Sequence, residues 1–163
     1  MSTRCGTDQS LERSGRGSVG AGDLEKVVLL VEDELIVAMD LAHLLEDHGW
    51  QVLGPAASVQ RALQLLKEQL PSVAILDINL RDELVTPVAE ALMKQGIPFV
   101  VSTAVSNPVE VCGTAVRGAP VLRKPTDEEQ LLQVLEKNDD ALDTQSQHGS
   151  ARQLTVPLKI FPK

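Results

Sequence analysis

Five short apolar runs, each followed by a stretch of helical periodicity, constrain this chain more than any other feature. The runs are Lys26–Val31, Gln51–Gly54, Ser72–Leu76, Phe99–Ser102 and Val121–Leu122. They are too short for helices and nearly continuous in apolar side chains, as expected of strands buried on both faces. The segments between them read as helices. Leu35–His48 puts Leu41, Leu44 and Leu45 on one face and ends at Gly49. Ser58 caps a second helix, which carries Leu63, Leu65, Leu66 and Leu70 and is stopped by Pro71. Pro87 suits the first turn of a third, running through Val88, Ala91, Leu92 and Met93 to Gly96. Pro108–Gly118 is a fourth, although Val109, Val111, Gly113, Thr114 and Val116 are weak helix formers. Thr126-Asp127-Glu128-Glu129 has the form of a capping box, opening a fifth helix to about Lys137. Alternation of this kind predicts an α/β fold: a five-stranded parallel sheet with helices on both faces.

The rest of the 163-residue chain is tails. Residues 1–24 are polar and glycine-rich, with too little apolar surface to offset the entropy of ordering, so a disordered segment is expected there. The folded domain is expected over residues 25–138, and 139–163 as a linker and C-terminal tail. Within the tail Leu154, Val156, Leu158 and Ile160 alternate with other residues, but two prolines weaken a strand. It reads as an unstructured end, or as an extended peptide that docks on a groove or sheet edge. A net charge of −8 argues against a nucleic-acid surface, which needs basic residues to neutralise phosphates, and against anionic lipid. No apolar stretch nears the roughly 20 residues that span a bilayer. Cys5 and Cys112 have no metal-ligand spacing and suggest no disulfide framework, which fits a cytoplasmic protein.

Chemistry-bearing residues cluster where strands end. Glu32-Asp33 follows the first run and Asp77 the third. In an open parallel sheet the carboxyl ends of the strands share one edge, where ligands bind. Three carboxylates meeting there repel one another, and a divalent cation with oxygen ligands relieves that repulsion. Thr103-Ala104 follows the fourth run and Lys124-Pro125 the fifth.

The segments LLVEDE, VAILDINL, FVVSTA and VLRKPT, in this order and spacing over about residues 25–138, resemble a response-regulator receiver domain, the phosphoacceptor half of two-component signalling. The resemblance implies a flavodoxin-like doubly wound fold with strand order 2-1-3-4-5. It implies that Asp77 accepts a phosphoryl group, that Asp33 binds Mg²⁺ directly and Glu32 through water, and that the Asn79 backbone carbonyl completes the metal site. Thr103 would bond a phosphoryl oxygen, Ala104 would leave the group room, and Lys124 would pair with its charge. Pro125 matches a cis proline that aims the lysine at the acceptor. The implied partners are a histidine kinase or histidine phosphotransfer protein and a downstream protein target, with no turnover activity beyond self-phosphorylation and self-dephosphorylation. About 25 residues follow the fifth helix, too few for an output module, so a stand-alone receiver is expected, acting as relay, sink or binding switch.

Two departures stand out. Receivers usually carry an aromatic three residues before the lysine, where this chain has Val121. The stretches PVAEAL, GIPFVVSTA and APVLRKP resemble a subgroup of alphaproteobacterial single-domain receivers, which have an aromatic soon after the threonine where this chain has Ser106. Signal propagation through Ser106–Gly118 is the expected substitute. Two rival readings share parts of this pattern. A haloacid-dehalogenase-type phosphatase also uses a nucleophilic Asp and Mg²⁺, but places an acid where this chain has Asn79 and the nucleophile after the first strand. A receiver-like module that binds without phosphate would not need the intact acceptor, acid pair, threonine and lysine.

Overall fold

The computed structural model describes residues 26–81 and 83–146. The tail expected at residues 1–24 lies outside the described residues, as do residues 147–163 of the linker and tail expected at 139–163, whereas residues 139–146 of that linker are helical. The elements run β1 (Val27–Val31), α1 (Leu35–Asp47), β2 (Gln51–Ala56), α2 (Val59–Glu68), β3 (Val73–Asp77), the short pair β4 (Asn79–Leu80) and β5 (Glu83–Leu84), α3 (Thr86–Gln95), β6 (Phe99–Thr103), α4 (Pro108–Cys112), a 3-10 turn (Gly113–Val116), β7 (Val121–Arg123) and α5 (Glu128–Ser146).

Five strands form one parallel sheet in the order β2-β1-β3-β6-β7. Counted among themselves, that is second, first, third, fourth, fifth, the doubly wound order expected. Every residue of β1, β3 and β6 is buried, which parallel strands require because both faces are covered. Alternate side chains feed two cores. Leu29, Val31, Ala74, Leu76 and Val101 pack with α2, α3 and the α4 region. Val28, Leu30, Ile75, Val100 and Leu122 pack with Leu41 and Leu45 of α1 and Leu131 and Leu135 of α5. Trp50 is buried in this second core, with the Lys26 ammonium 5.5 Å from its ring centre. In register, Val31 lies beside Leu76, Asp77 beside Ser102 and Thr103 beside Arg123. The chemically rich strand ends are therefore level. Among the described residues no helix is long and apolar enough to cross a membrane.

Four local expectations are corrected. Leu70 is not on the second helix: α2 stops at Glu68, Gln69 is extended and Leu70 is exposed. The residue before a proline avoids the α region, so the pull of Pro71 reaches back into the last turn. The fourth helix does not reach Gly118. It breaks at Gly113 (φ 66°, ψ −149°), a conformation for glycine, and continues as a 3-10 turn that buries Ala115 and Val116. The fifth helix continues past Lys137 to Ser146, since no glycine or proline interrupts Asn138–Ser146. Its cap is Asp127, whose Oδ1 accepts from the Gln130 N–H at 2.8 Å, and not Thr126, whose hydroxyl bonds elsewhere. The β4–β5 pair gave no sequence signal, because two-residue strands carry no periodicity.

Candidate functional site

The carboxyl edge of the sheet gathers the residues singled out from the sequence. Glu32 and Asp33 follow β1, Asp77 ends β3, Thr103 ends β6 and Lys124 follows β7. One oxygen from each of Glu32, Asp33 and Asp77 lies within 4.8 Å of the others. Into this cluster reaches Lys124, whose Nζ donates to Asp77 Oδ2 and to Glu32 Oε2, each at 2.7 Å. The Lys124–Pro125 peptide is cis, as expected.

Each acid is held differently. Glu32 is buried; its Oε1 also accepts from the Glu34 N–H at 3.2 Å. Burial lifts its carboxyl above the usual range, and the pull of Lys124 in the other direction does not offset this. Asp33 is half-buried and accepts from the Arg81 N–H at 3.0 Å. Asp77 is 8% exposed, and its Oδ1 accepts from the Asn79 N–H at 3.3 Å. Burial draws the Lys124 ammonium down, but its hydrogen bonds to Asp77 and Glu32 outweigh that and the net shift is upward. The contact thus favours the charged lysine, while Glu32 keeps a desolvation cost that pairing does not fully offset.

Around the cluster, Thr103 is buried and its Oγ1 accepts from the Val105 N–H at 3.1 Å. Ala104 is exposed beside it. Two contacts were not foreseen. Ser102 Oγ and Thr126 Oγ1 share a hydrogen bond of 2.9 Å. The Arg123 guanidinium reaches Ser106, at 3.4 Å to its hydroxyl and 3.5 Å to its carbonyl. The pair Ser102-Thr103 at a strand end was a usable signal, since consecutive strand residues face opposite sides and two hydroxyls there serve two different partners. His43 is exposed on α1, His48 is exposed at its C-terminal cap, and Cys112 is buried in the core.

Residues 28–136, most of the chain, match the family profile of the response regulator receiver domain. The chain belongs to the response regulator receiver family. This receiver is 35% identical over 81 residues to the transcriptional regulatory protein PdtaR of Mycobacterium tuberculosis, an alignment covering 49% of this chain and 40% of that protein. It is 31% identical over 112 residues to the sensory transduction protein LytT of Bacillus cereus, covering 68% of this chain and 46% of that one. The receiver thus spans less than half the length of both relatives. Among solved structures, the signal receiver domain of a Luxo repressor protein from Vibrio parahaemolyticus superposes with a TM-score of 0.67 at 21% identity, over 78% of this chain and 100% of that one, a likeness of fold.

Proposed function

We propose that this receiver takes a phosphoryl group on Asp77 from a phosphohistidine of a histidine kinase or phosphotransfer protein. The observation that carries the reading is Lys124 Nζ, 2.7 Å from both Asp77 and Glu32 inside a cluster of three carboxylates. That arrangement puts a nucleophilic oxygen, a cationic partner for phosphoryl oxygens and a set of hard oxygen donors at one point. Phosphoryl transfer is chiefly positioning and charge stabilisation, which is what these groups supply.

The donor set fits a divalent cation. Three carboxylates against one ammonium leave an excess of negative charge, and all the donors are oxygens. Asp33, Asp77 and the Asn79 carbonyl would hold Mg²⁺ directly and Glu32 through water. When bound, Mg²⁺ offsets the repulsion among the acids and neutralises charge on the phosphoryl oxygens. The chain's own groups do the rest. An Asp77 carboxylate oxygen attacks phosphorus, the P–N bond to the donor imidazole breaks, and the imidazole nitrogen leaves with the bonding pair. The Lys124 ammonium, a point charge on a flexible stem, exchanges a carboxylate contact for a phosphoryl oxygen. Thr103 offers its hydroxyl, and the exposed methyl of Ala104 leaves the group room.

The donor protein docks on α1. Leu35, Ile36 and Met39 are exposed there, beside a groove of about 330 Å³ that runs from Val37 and Leu41 to Lys124 and Pro125. An apolar helix face next to the acceptor suits a helical phosphodonor that must bring its histidine to Asp77. The phosphorylated receiver then passes the group on or presents an altered surface of α4, β7 and α5 to a protein target; Val111 and Val121 are exposed on that side. The protein is a phosphoacceptor and not a turnover enzyme.

Labelled acetyl phosphate or a labelled phosphohistidine donor tests the reading. The wild type should take up label in Mg²⁺ and lose the capacity in EDTA, and Asp77→Asn should take up none. Label on Asp77→Asn would overturn the assignment.

A further inference from the structure

We infer that the Thr126 hydroxyl, acting through Ser102, positions Lys124 for phosphoryl transfer. The inference rests on the reading of Asp77 as acceptor. Lys124 lies at the head of a four-residue connection, Lys124–Asp127, between β7 and α5. Its upstream side is fixed, because the Lys124 N–H donates to the Thr103 carbonyl at 3.1 Å and continues the β6–β7 ladder. Its downstream side needs a separate anchor, since Asp127 directs its side chain into α5. Among the described residues, the one hydrogen bond that returns this downstream side to the sheet is Thr126 Oγ1 to Ser102 Oγ, at 2.9 Å.

The location of Ser102 gives the bond its consequence. Ser102 is 1% exposed and sits beside Asp77 in the β3–β6 register. Thr126 is therefore tied to the strand position next to the acceptor itself. A lysine stem has four rotatable carbons, so Nζ is directed well only if the backbone that carries it is held on both sides. The hydroxyl pair supplies the second hold. Thr126 stands where a capping threonine was expected, yet gives its hydroxyl to Ser102 and leaves the cap to Asp127. The two neighbouring residues divide the labour: one starts the helix, the other registers the loop against the acceptor strand. Thr126 and Ser102 are positioning residues, since neither hydroxyl needs to touch the phosphoryl group.

The test measures label uptake from acetyl phosphate by the full chain as donor and Mg²⁺ concentrations vary, for wild type, Thr126→Val, Thr126→Ser, Ser102→Ala and Ser102→Ala with Thr126→Val. Thr126→Val should lower the rate at saturating donor about tenfold, with the Mg²⁺ requirement within about twofold of wild type, because misplacing a reacting group costs rate and not ligand binding. Ser102→Ala should match it. The double variant should be no slower than either single, as expected of two groups that act as one unit. Thr126→Ser should recover the rate, since it keeps the hydroxyl. Urea titration of each variant separates loss of fold from loss of rate, and Ser102→Ala keeps nearly the same volume should Thr126→Val be destabilised. Wild-type rates in both Thr126→Val and Ser102→Ala would overturn the inference, as would a Thr126→Ser variant no faster than Thr126→Val. A wild type that takes no label would instead bring down the acceptor reading, and the inference with it.

Discussion

At the residue scale, Lys124 decides how three acids share one edge. It is 21% exposed at the side chain and touches two carboxylates that are far more buried. Removing one member of a largely buried charge pair leaves the other uncompensated. Lys124→Met should therefore destabilise the fold by about 2–3 kcal/mol in EDTA, read as a lower urea midpoint at pH 7. An unchanged midpoint would mean that solvent screens the contact. The same residue sets an alkaline limb. Its ammonium holds a proton more tightly folded than unfolded, so its stabilisation is complete below the ordinary lysine value of 10.5 and disappears as pH rises through the higher folded value. The wild-type midpoint should thus fall more steeply above pH 10.5 than that of Lys124→Met. The site residues themselves were legible in the sequence, because each ends or follows an apolar run and a parallel sheet brings those ends together. What the sequence hid was the pairing inside the site. Nothing in the order of residues says that Lys124 would bridge Glu32 and Asp77 and leave Asp33 to a backbone N–H of Arg81.

At the scale of elements, buried strands were the clearest signal and helix ends the weakest. The apolar runs gave β1, β3 and β6 to within a residue or two, since continuous burial leaves little choice of composition. Helix ends depend on single backbone conformations and on which of several polar side chains wins a cap. Thr126 and Asp127 are both good caps by type, and the competing partner Ser102, distant in sequence, removes Thr126 from the contest. Asp127→Ala should accordingly cost about 1 kcal/mol of unfolding free energy. A cost within error of zero would return the cap to Thr126. The β1–β2 pair depends on a different constraint. Gly54 has φ 121°, and a Cβ there would lie 2.7 Å from the Leu30 carbonyl oxygen of β1. The obstacle is backbone, so Gly54→Ala must open the edge of the sheet, and strain of that kind with the positive φ should cost upward of about 3 kcal/mol. A thermal melt within a few degrees of wild type would contradict so close an approach.

At the scale of the whole molecule, the question is how a change at Asp77 reaches the outer surface with Val121 in place of an aromatic. The geometry offers a route along the β6–α4 connection. Thr103 Oγ1 accepts from the Val105 N–H, and three residues on from Thr103, Ser106 is held by Arg123 of β7. A Thr103 hydroxyl that turns to a phosphoryl oxygen must reorient, which weakens its hold on Val105 and disturbs the segment that Arg123 grips. The next element is poorly secured: α4 is five residues long, ends at a glycine with positive φ and is followed by a 3-10 turn. Short helices with broken hydrogen-bond ladders open at low free-energy cost, so a small bias at Thr103 suffices to shift their population. On the opposite face α1, which buries Leu41 and Leu45, has no such break and should transmit little. Amide exchange with and without beryllofluoride and Mg²⁺ should therefore change over residues 104–118 and stay constant over β1 and the buried half of α1. Arg123→Ala should loosen the same segment before any phosphoryl mimic is added and shrink the further change. Equal protection across 104–118 in both states would show that the signal leaves the acceptor by another path, with the loop between Lys124 and α5 the next segment to follow.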